Sequence, residues 1–227
     1  MRHVSCDMSV GVSVVGTGAV AAIVVGGAKA ATYFRKQYIA AAMVSKFVDA
    51  NNDTNVLELA PKGRNLYYYP TRSRVLAYGT PKGSKDEELL KQFAMKSGVD
   101  VVAVSDAAEL ADESCEAVTC LTNLGDVPSV RNALAEANRV LKVGAPIILV
   151  TDPLTGVPPP VNPDDMEGLM AQPEAVRTTA AELAFAGFER IELDDKWGSS
   201  AIFPAAVGVA YKRQKKGGAG KKTSGFG

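Results

Sequence analysis

Residues 55–66 read NVLELAPKGRNL. The apolar run makes a short buried strand, Ala60-Pro61-Lys62-Gly63 makes a tight turn, and the residues after it start a helix. The same alternation continues to residue 212. Strands are predicted at Val56–Leu59, Arg74–Tyr78, Val99–Val104, Ala117–Leu121, Pro146–Val150, Arg190–Leu193 and Ala205–Tyr211. Helices are predicted at Lys85–Lys96, Ser129–Lys142 and Pro173–Ala186, with Ser129 as an N-cap, and Asp152–Pro163 is too rich in proline for a regular element. Strands that alternate with helices form a doubly wound, mostly parallel α/β sheet, here of seven strands. Ligands of such sheets bind outside the carboxyl ends of the strands. That places a candidate site on the turn after Leu59 and on the loops after Tyr78, Val104 and Leu121.

The chain of 227 residues suits one domain with appendages. Formal net charge is zero but unevenly spread. Lys212, Arg213, Lys215, Lys216, Lys221 and Lys222 follow one another with no acid among them, which leaves 19 basic against 25 acidic residues elsewhere. This basic, glycine-rich tail either is solvated or meets an acidic protein surface or anionic lipid; nucleic acid is not the expected partner. Cys6, Cys115 and Cys120 are too few for a disulfide framework, and Cys115 and Cys120 read as buried small hydrophobes. His3 is the only histidine. An imidazole-based triad, general base or zinc site is therefore excluded from the α/β region, and no metal site is expected.

Met8 to Ala28 contains no charged residue over 21 positions. As a helix it would be about 31 Å long, enough to cross a bilayer. Gly18, Ala22 and Gly26 recur every fourth residue, with Gly11 two turns earlier on the same face. Such a face lets another membrane helix approach closely. A cleaved targeting segment and a soluble Ala/Gly-rich helix are the alternatives. Lys29, Arg35, Lys36 and Lys46 follow, which puts the α/β region on the positive side of the membrane. Residues 29–49 read as an interfacial helix, with Phe34, Tyr38 and Phe47 among cations. The resulting division is 1–50 for a transmembrane helix with its amphipathic continuation, 51–212 for the α/β domain, and 213–227 for the tail.

Four blocks in this order and spacing resemble the class I S-adenosylmethionine-dependent methyltransferases: VLEL at 56–59 with RNLYYYP at 64–70; VSDAAEL at 104–110; RVLKVGA at 139–145; and LAFAGFERIEL at 183–193. The likeness is nearest to membrane-anchored methyltransferase-like proteins, some of which methylate small thiols. It implies a Rossmann-like methyltransferase sheet and S-adenosylmethionine as cofactor. It also exposes departures. The family's first motif is similar to L-G-x-G-x-G-x-N, whereas Leu59 and Asn65 here enclose only APKGR. Ala60 stands for the first glycine, Lys62 replaces or follows the lost middle one, and Gly63 remains. The family's acid at the end of the second strand, which holds the ribose hydroxyls, falls on Gly79, with no acid beside it in sequence. Asp106 takes the adenine-side position, with a helix cap as its other reading.

The resemblance therefore implies Gly63 and Asp106 as vestigial cofactor-binding residues and no catalytic residue. The leading expectation is a non-catalytic methyltransferase-like subunit of a membrane protein complex, binding no cofactor. It would be single-pass, in the mitochondrial inner membrane with its domain in the matrix, and a thylakoid or endoplasmic reticulum membrane is the alternative. Its helix would pack through Gly11, Gly18, Ala22 and Gly26, and its 212–222 segment would meet an acidic surface. The alternative is an active membrane-anchored enzyme that methylates a thiol or lipid-like substrate. A third reading is a module that binds another nucleotide. Lys62 and Arg64 could hold an anion such as a phosphate, or simply face solvent or a partner protein. Tyr67, Tyr68 and Tyr69 read as packing aromatics rather than a substrate cage.

Overall fold

The structure is a computed structural model that describes residues 30–50, 54–195 and 205–213. The expected span at 8–28 and the glycine tail beyond 213 lie outside the described residues. Among the described residues, no helix is long and apolar enough to cross a membrane.

Seven strands form one sheet: β1 (Asn55–Leu59), β2 (Arg74–Tyr78), β3 (Asp100–Val104), β4 (Ala117–Cys120), β5 (Pro146–Thr151), β6 (Phe188–Asp194) and β7 (Ala206–Lys212). Their order is β3-β2-β1-β4-β5-β7-β6, and only β7 runs antiparallel to its neighbours β5 and β6. The strand order reverses between the parallel neighbours β1 and β4, a topological switch point where a ligand crevice opens. The described part of the first helix, α1, covers residues 30–47. It is followed by α2 (Lys85–Ser97), α3 (Val130–Val140), α4 (Pro163–Met170) and α5 (Arg177–Phe185).

Strand alternation assigns the two faces. Leu57 and Leu59 join a core with Leu134, Ala137 and Leu183 from α3 and α5. Val56, Val75 and Ala77 join a second core with Leu90 and Ala94 of α2 and with Ile39, Ala40, Val44 and Val48. One face of residues 39–48 is thus core of the α/β domain, although the sequence reads the segment as an interfacial lead-in. Phe34 and Tyr38, at 69% and 74% exposure, keep the outward aromatic character expected of that segment.

Local chemistry explains the element ends. Ser84 caps α2 by accepting from the Glu87 amide at 3.2 Å, and Glu87 reaches back to the Gly83 amide at 2.5 Å. Gly98 closes α2 in the left-handed conformation. Ser129 does stand at the N-cap of α3, but its side chain makes no capping bond, which corrects the expected role. The proline-rich segment is irregular as expected, except that Pro163 begins α4, where its fixed φ and missing N–H suit a first helical turn. The predicted helix at Pro173–Ala186 divides into a short 3-10 turn at Glu174–Val176 and α5.

Lys212 and Arg213 also depart from expectation. The Lys212 ammonium donates to the carbonyls of Leu141 at 2.7 Å and Arg139 at 3.2 Å, at the carboxyl end of α3, and lies 3.4 Å from Glu113. Arg213 faces Glu189 at 3.7 Å. These two cations of the predicted tail belong to the fold, because a helix terminus with unpaired carbonyls attracts positive charge.

Candidate functional site

The turn after β1 keeps its special backbone without its special residue. Ala60 has φ +50°, a region glycine enters freely and alanine does not. Its carbonyl accepts from the Thr122 hydroxyl at 2.9 Å, which ties the loops after β1 and β4 together. A short 3-10 turn, Gly63–Tyr68, follows where the sequence reads as the start of a helix. Gly63 is needed for packing rather than for ligand approach. A Cβ there would meet the Phe93 ring at 2.2 Å.

A cleft of about 390 Å³ opens above the carboxyl ends of β1 and β2. Ala60, Lys62, Gly63 and Gly79 all line it, so the fold brings together four of the five motif positions predicted from sequence. Gly79 ends β2 with φ +79° and has no atom within 4 Å of the place a Cβ would occupy. Asp86 and Asp126 line the same cleft, although the sequence around Gly79 suggests no neighbouring acid. Asp86 comes from the first turn of α2 and Asp126 from the turn after β4. Both are distant from Gly79 in sequence or masked by a helical pattern, so only the fold brings them to the cleft.

Asp106 does not line that cleft. It is exposed, and its carboxylate accepts from the Ala108 amide at 3.0 Å, the capping arrangement. It stays close to Tyr78. Partial burial first, and the Asp106 charge second, push the Tyr78 hydroxyl pKa upward.

A second cleft of about 480 Å³ lies between α1 and the carboxyl ends of β4 and β5. Lys62 lines both clefts and so stands on the ridge between them. Arg64 lies over the Tyr33 ring at 5.3 Å, and Lys36 pairs with Asp152. Tyr68 donates to Gln37 of α1, while Tyr67 meets Phe93 edge-on at 6.2 Å. The three tyrosines thus tie the turn to its neighbours instead of forming a cage.

Glu58 is the titratable residue that the sequence reading passed over. It occupies an apolar strand on the α1/α2 face and is fully buried. Burial pushes its carboxyl pKa up to about 7, against the bond it accepts from the Asn65 amide at 2.6 Å. Its second oxygen has no hydrogen-bond partner. The adjacent Tyr69 hydroxyl shares a 2.6 Å hydrogen bond with Thr119 and also interacts with the Glu58 carboxyl. An acid inside the run VLEL was the available signal, because a strand buried on both faces seldom carries one.

Cys115 and Cys120 are buried free thiols whose pKa values burial raises to about 11 and about 12. They are inert at neutral pH. No group of three potential metal ligands occurs among the described residues.

The donor set meets the cofactor implied by the sequence only in part. The cleft is of ligand size, and Ala60 preserves the backbone bend. Gly79 offers no side chain to a ribose, however, and Lys62 brings a positive charge toward a ligand that is itself a sulfonium.

Comparison with known proteins agrees with the architecture. Residues 55–149 match the family model described as a methyltransferase domain. No curated protein matches the chain. Among solved structures, a chain of the Haloferax volcanii complex between the Trm112 methyltransferase activator and a methyltransferase is similar, with 12% identity over 83% of this chain and 95% of that one and a TM-score of 0.53. The [4+2]-cyclase SpnF is similar at 15% identity over 77% of this chain and 81% of its own, also at 0.53. A SAM-dependent methyltransferase from Thermotoga maritima shows 16% identity over 82% and 95% of the two chains, with a TM-score of 0.49. At such identities the likeness is one of fold, and a cyclase among the neighbours shows that the fold alone does not set the reaction. Residues 55–149 thus match a methyltransferase-domain model, and the described sheet has the fold of the class I S-adenosylmethionine-dependent methyltransferases.

Proposed function

We propose that this is a methyltransferase-like protein that does not transfer methyl groups and serves as an accessory subunit of a membrane protein complex. The observation that carries the reading is Gly79. At the end of β2, where the family resemblance calls for an acid to hold the ribose, there is open space and a backbone with φ +79°. Lys62 on the cleft wall reinforces it, since a second positive charge disfavours a sulfonium. The uncharged stretch at 8–28, with its small-residue face, supports placement in a membrane. The mitochondrial inner membrane, with the domain in the matrix, is the favoured location.

Methyl transfer is an in-line displacement driven mainly by holding nucleophile and methyl group together. A domain that cannot hold the methyl donor has therefore lost the catalyst itself. Calorimetry of the full chain with S-adenosylmethionine and S-adenosylhomocysteine tests the proposal. No saturable heat is expected for either ligand. Micromolar affinity for both would overturn it and favour the second reading, an active membrane-anchored methyltransferase. That reading has its own supporting observation in the open 390 Å³ cleft, where Asp86 supplies a carboxylate from α2.

A further inference from the structure

We propose that the cleft between α1 and the carboxyl ends of β4 and β5 binds a phosphate group, recognised by Lys62 and Arg64. This site is separate from the cofactor-type cleft and shares only Lys62 with it.

Charge is the first argument. Lys36, Lys62, Arg64 and Asp152 are the charged side chains that line the cleft. Lys36 and Asp152 pair with each other. Neither Lys62 nor Arg64 has a carboxylate partner among the described residues, so the cleft keeps two uncompensated cations on residues two apart. The geometry of the donors is the second argument. The Arg64 guanidinium lies 5.3 Å above the Tyr33 ring, which restrains it while leaving its in-plane N–H groups for a ligand. The Gln37 amide oxygen accepts from the Tyr68 hydroxyl, so its amide hydrogens are turned to donation as well. A guanidinium fork, an ammonium and a primary amide suit an anion with three or four oxygens better than a carboxylate with two. The third argument is the rest of the lining. Ala40, Leu121 and Val150 supply an apolar wall on which the organic part of a phosphate ester would rest.

The phosphate could be that of a soluble ester or of a lipid headgroup, and one set of variants distinguishes them. Inorganic phosphate is titrated into the full chain at constant ionic strength, with chloride as the balancing anion. Binding is read by calorimetry and by the thermal upshift. Wild type is expected to show saturable binding. K62E/R64E should weaken it at least tenfold, and Arg64→Lys should fall between. The control K85E/K96E, on α2 away from the cleft, should bind as wild type. Absent binding in wild type, or equal loss in the control pair, would overturn the proposal. Both variants replace exposed residues, and an unchanged far-ultraviolet spectrum confirms folding. Flotation with phosphatidylcholine vesicles, with and without 20% phosphatidic acid, then assigns the source. Loss of the acid-dependent fraction in K62E/R64E assigns a lipid headgroup. Equal flotation of variant and wild type assigns a soluble ester. Because S-adenosylmethionine is absent throughout, the outcome is independent of whether the other cleft binds it.

Discussion

At the scale of single residues, two positions carry sharp consequences. Glu58 keeps its proton to about pH 7 when folded, whereas an exposed carboxyl in the unfolded chain ionises near 4.5. Between these values the folded state holds more protons than the unfolded one. Stability is then highest below about pH 4.5 with respect to this group and falls as pH rises toward 7, by a total on the order of 3 kcal/mol. Glu58→Gln should flatten the melting temperature between pH 5 and 8, with its largest gain at pH 8. A parallel decline in wild type and variant would show that Glu58 is not the titrating group. Ala60 is the complementary case. Its φ of +50° strains any residue with a Cβ. Ala60→Gly should raise stability by roughly 0.5–1 kcal/mol, measured by urea denaturation. A loss instead would mean that packing of the Ala60 methyl against the core outweighs the relieved strain.

Among the elements, α3 depends on a residue from the far end of the domain. The Lys212 ammonium is 13% exposed and meets two carbonyls at the α3 terminus. Lys212→Met keeps most of the stem but removes the ammonium donor from the Leu141 carbonyl and one of two donors from the Arg139 carbonyl, which also accepts from the Glu113 amide at 3.2 Å. It should cost about 1–2 kcal/mol in urea denaturation, whereas Lys215→Met should cost nothing measurable. Equal effects would reduce Lys212 to one more tail cation. The sequence could not show this contact, because the six cations of the tail look alike until β7 is paired and its register is fixed. What the sequence does show follows the same logic. The apolar runs and their spacing give β1 to β5 and α2 almost to the residue, since those elements are set by local pattern and by caps such as Ser84 and Gly98. Ala60, Lys62, Gly63 and Gly79 were legible because a turn after a buried strand has fixed places. Asp86, Asp126 and Glu58 were not, because cleft lining and burial depend on how distant segments pack.

For the whole molecule, charge distribution decides how the domain relates to its surroundings. Once Lys212 and Arg213 are engaged with the fold, four lysines of the tail remain, at 215, 216, 221 and 222, with no acid among them. Glycines separate the two pairs, and ordering them costs backbone entropy. Glu113 and Glu189, the acids that face the start of the tail, are already engaged by Lys212 and Arg213. The expected counter-surface is therefore external: an acidic protein face or anionic headgroups. Truncation after Arg213 is the informative cut, since it spares both docked cations and the β7 register. The truncated chain should keep the melting temperature of the full chain but release more readily from isolated membranes. The difference should be greatest at low salt and vanish near 0.5 M, where the screening length falls to roughly 4 Å. Equal release of the two forms across the salt series would show that the tail contributes nothing to attachment. A lowered melting temperature would instead place the lysines on the domain itself.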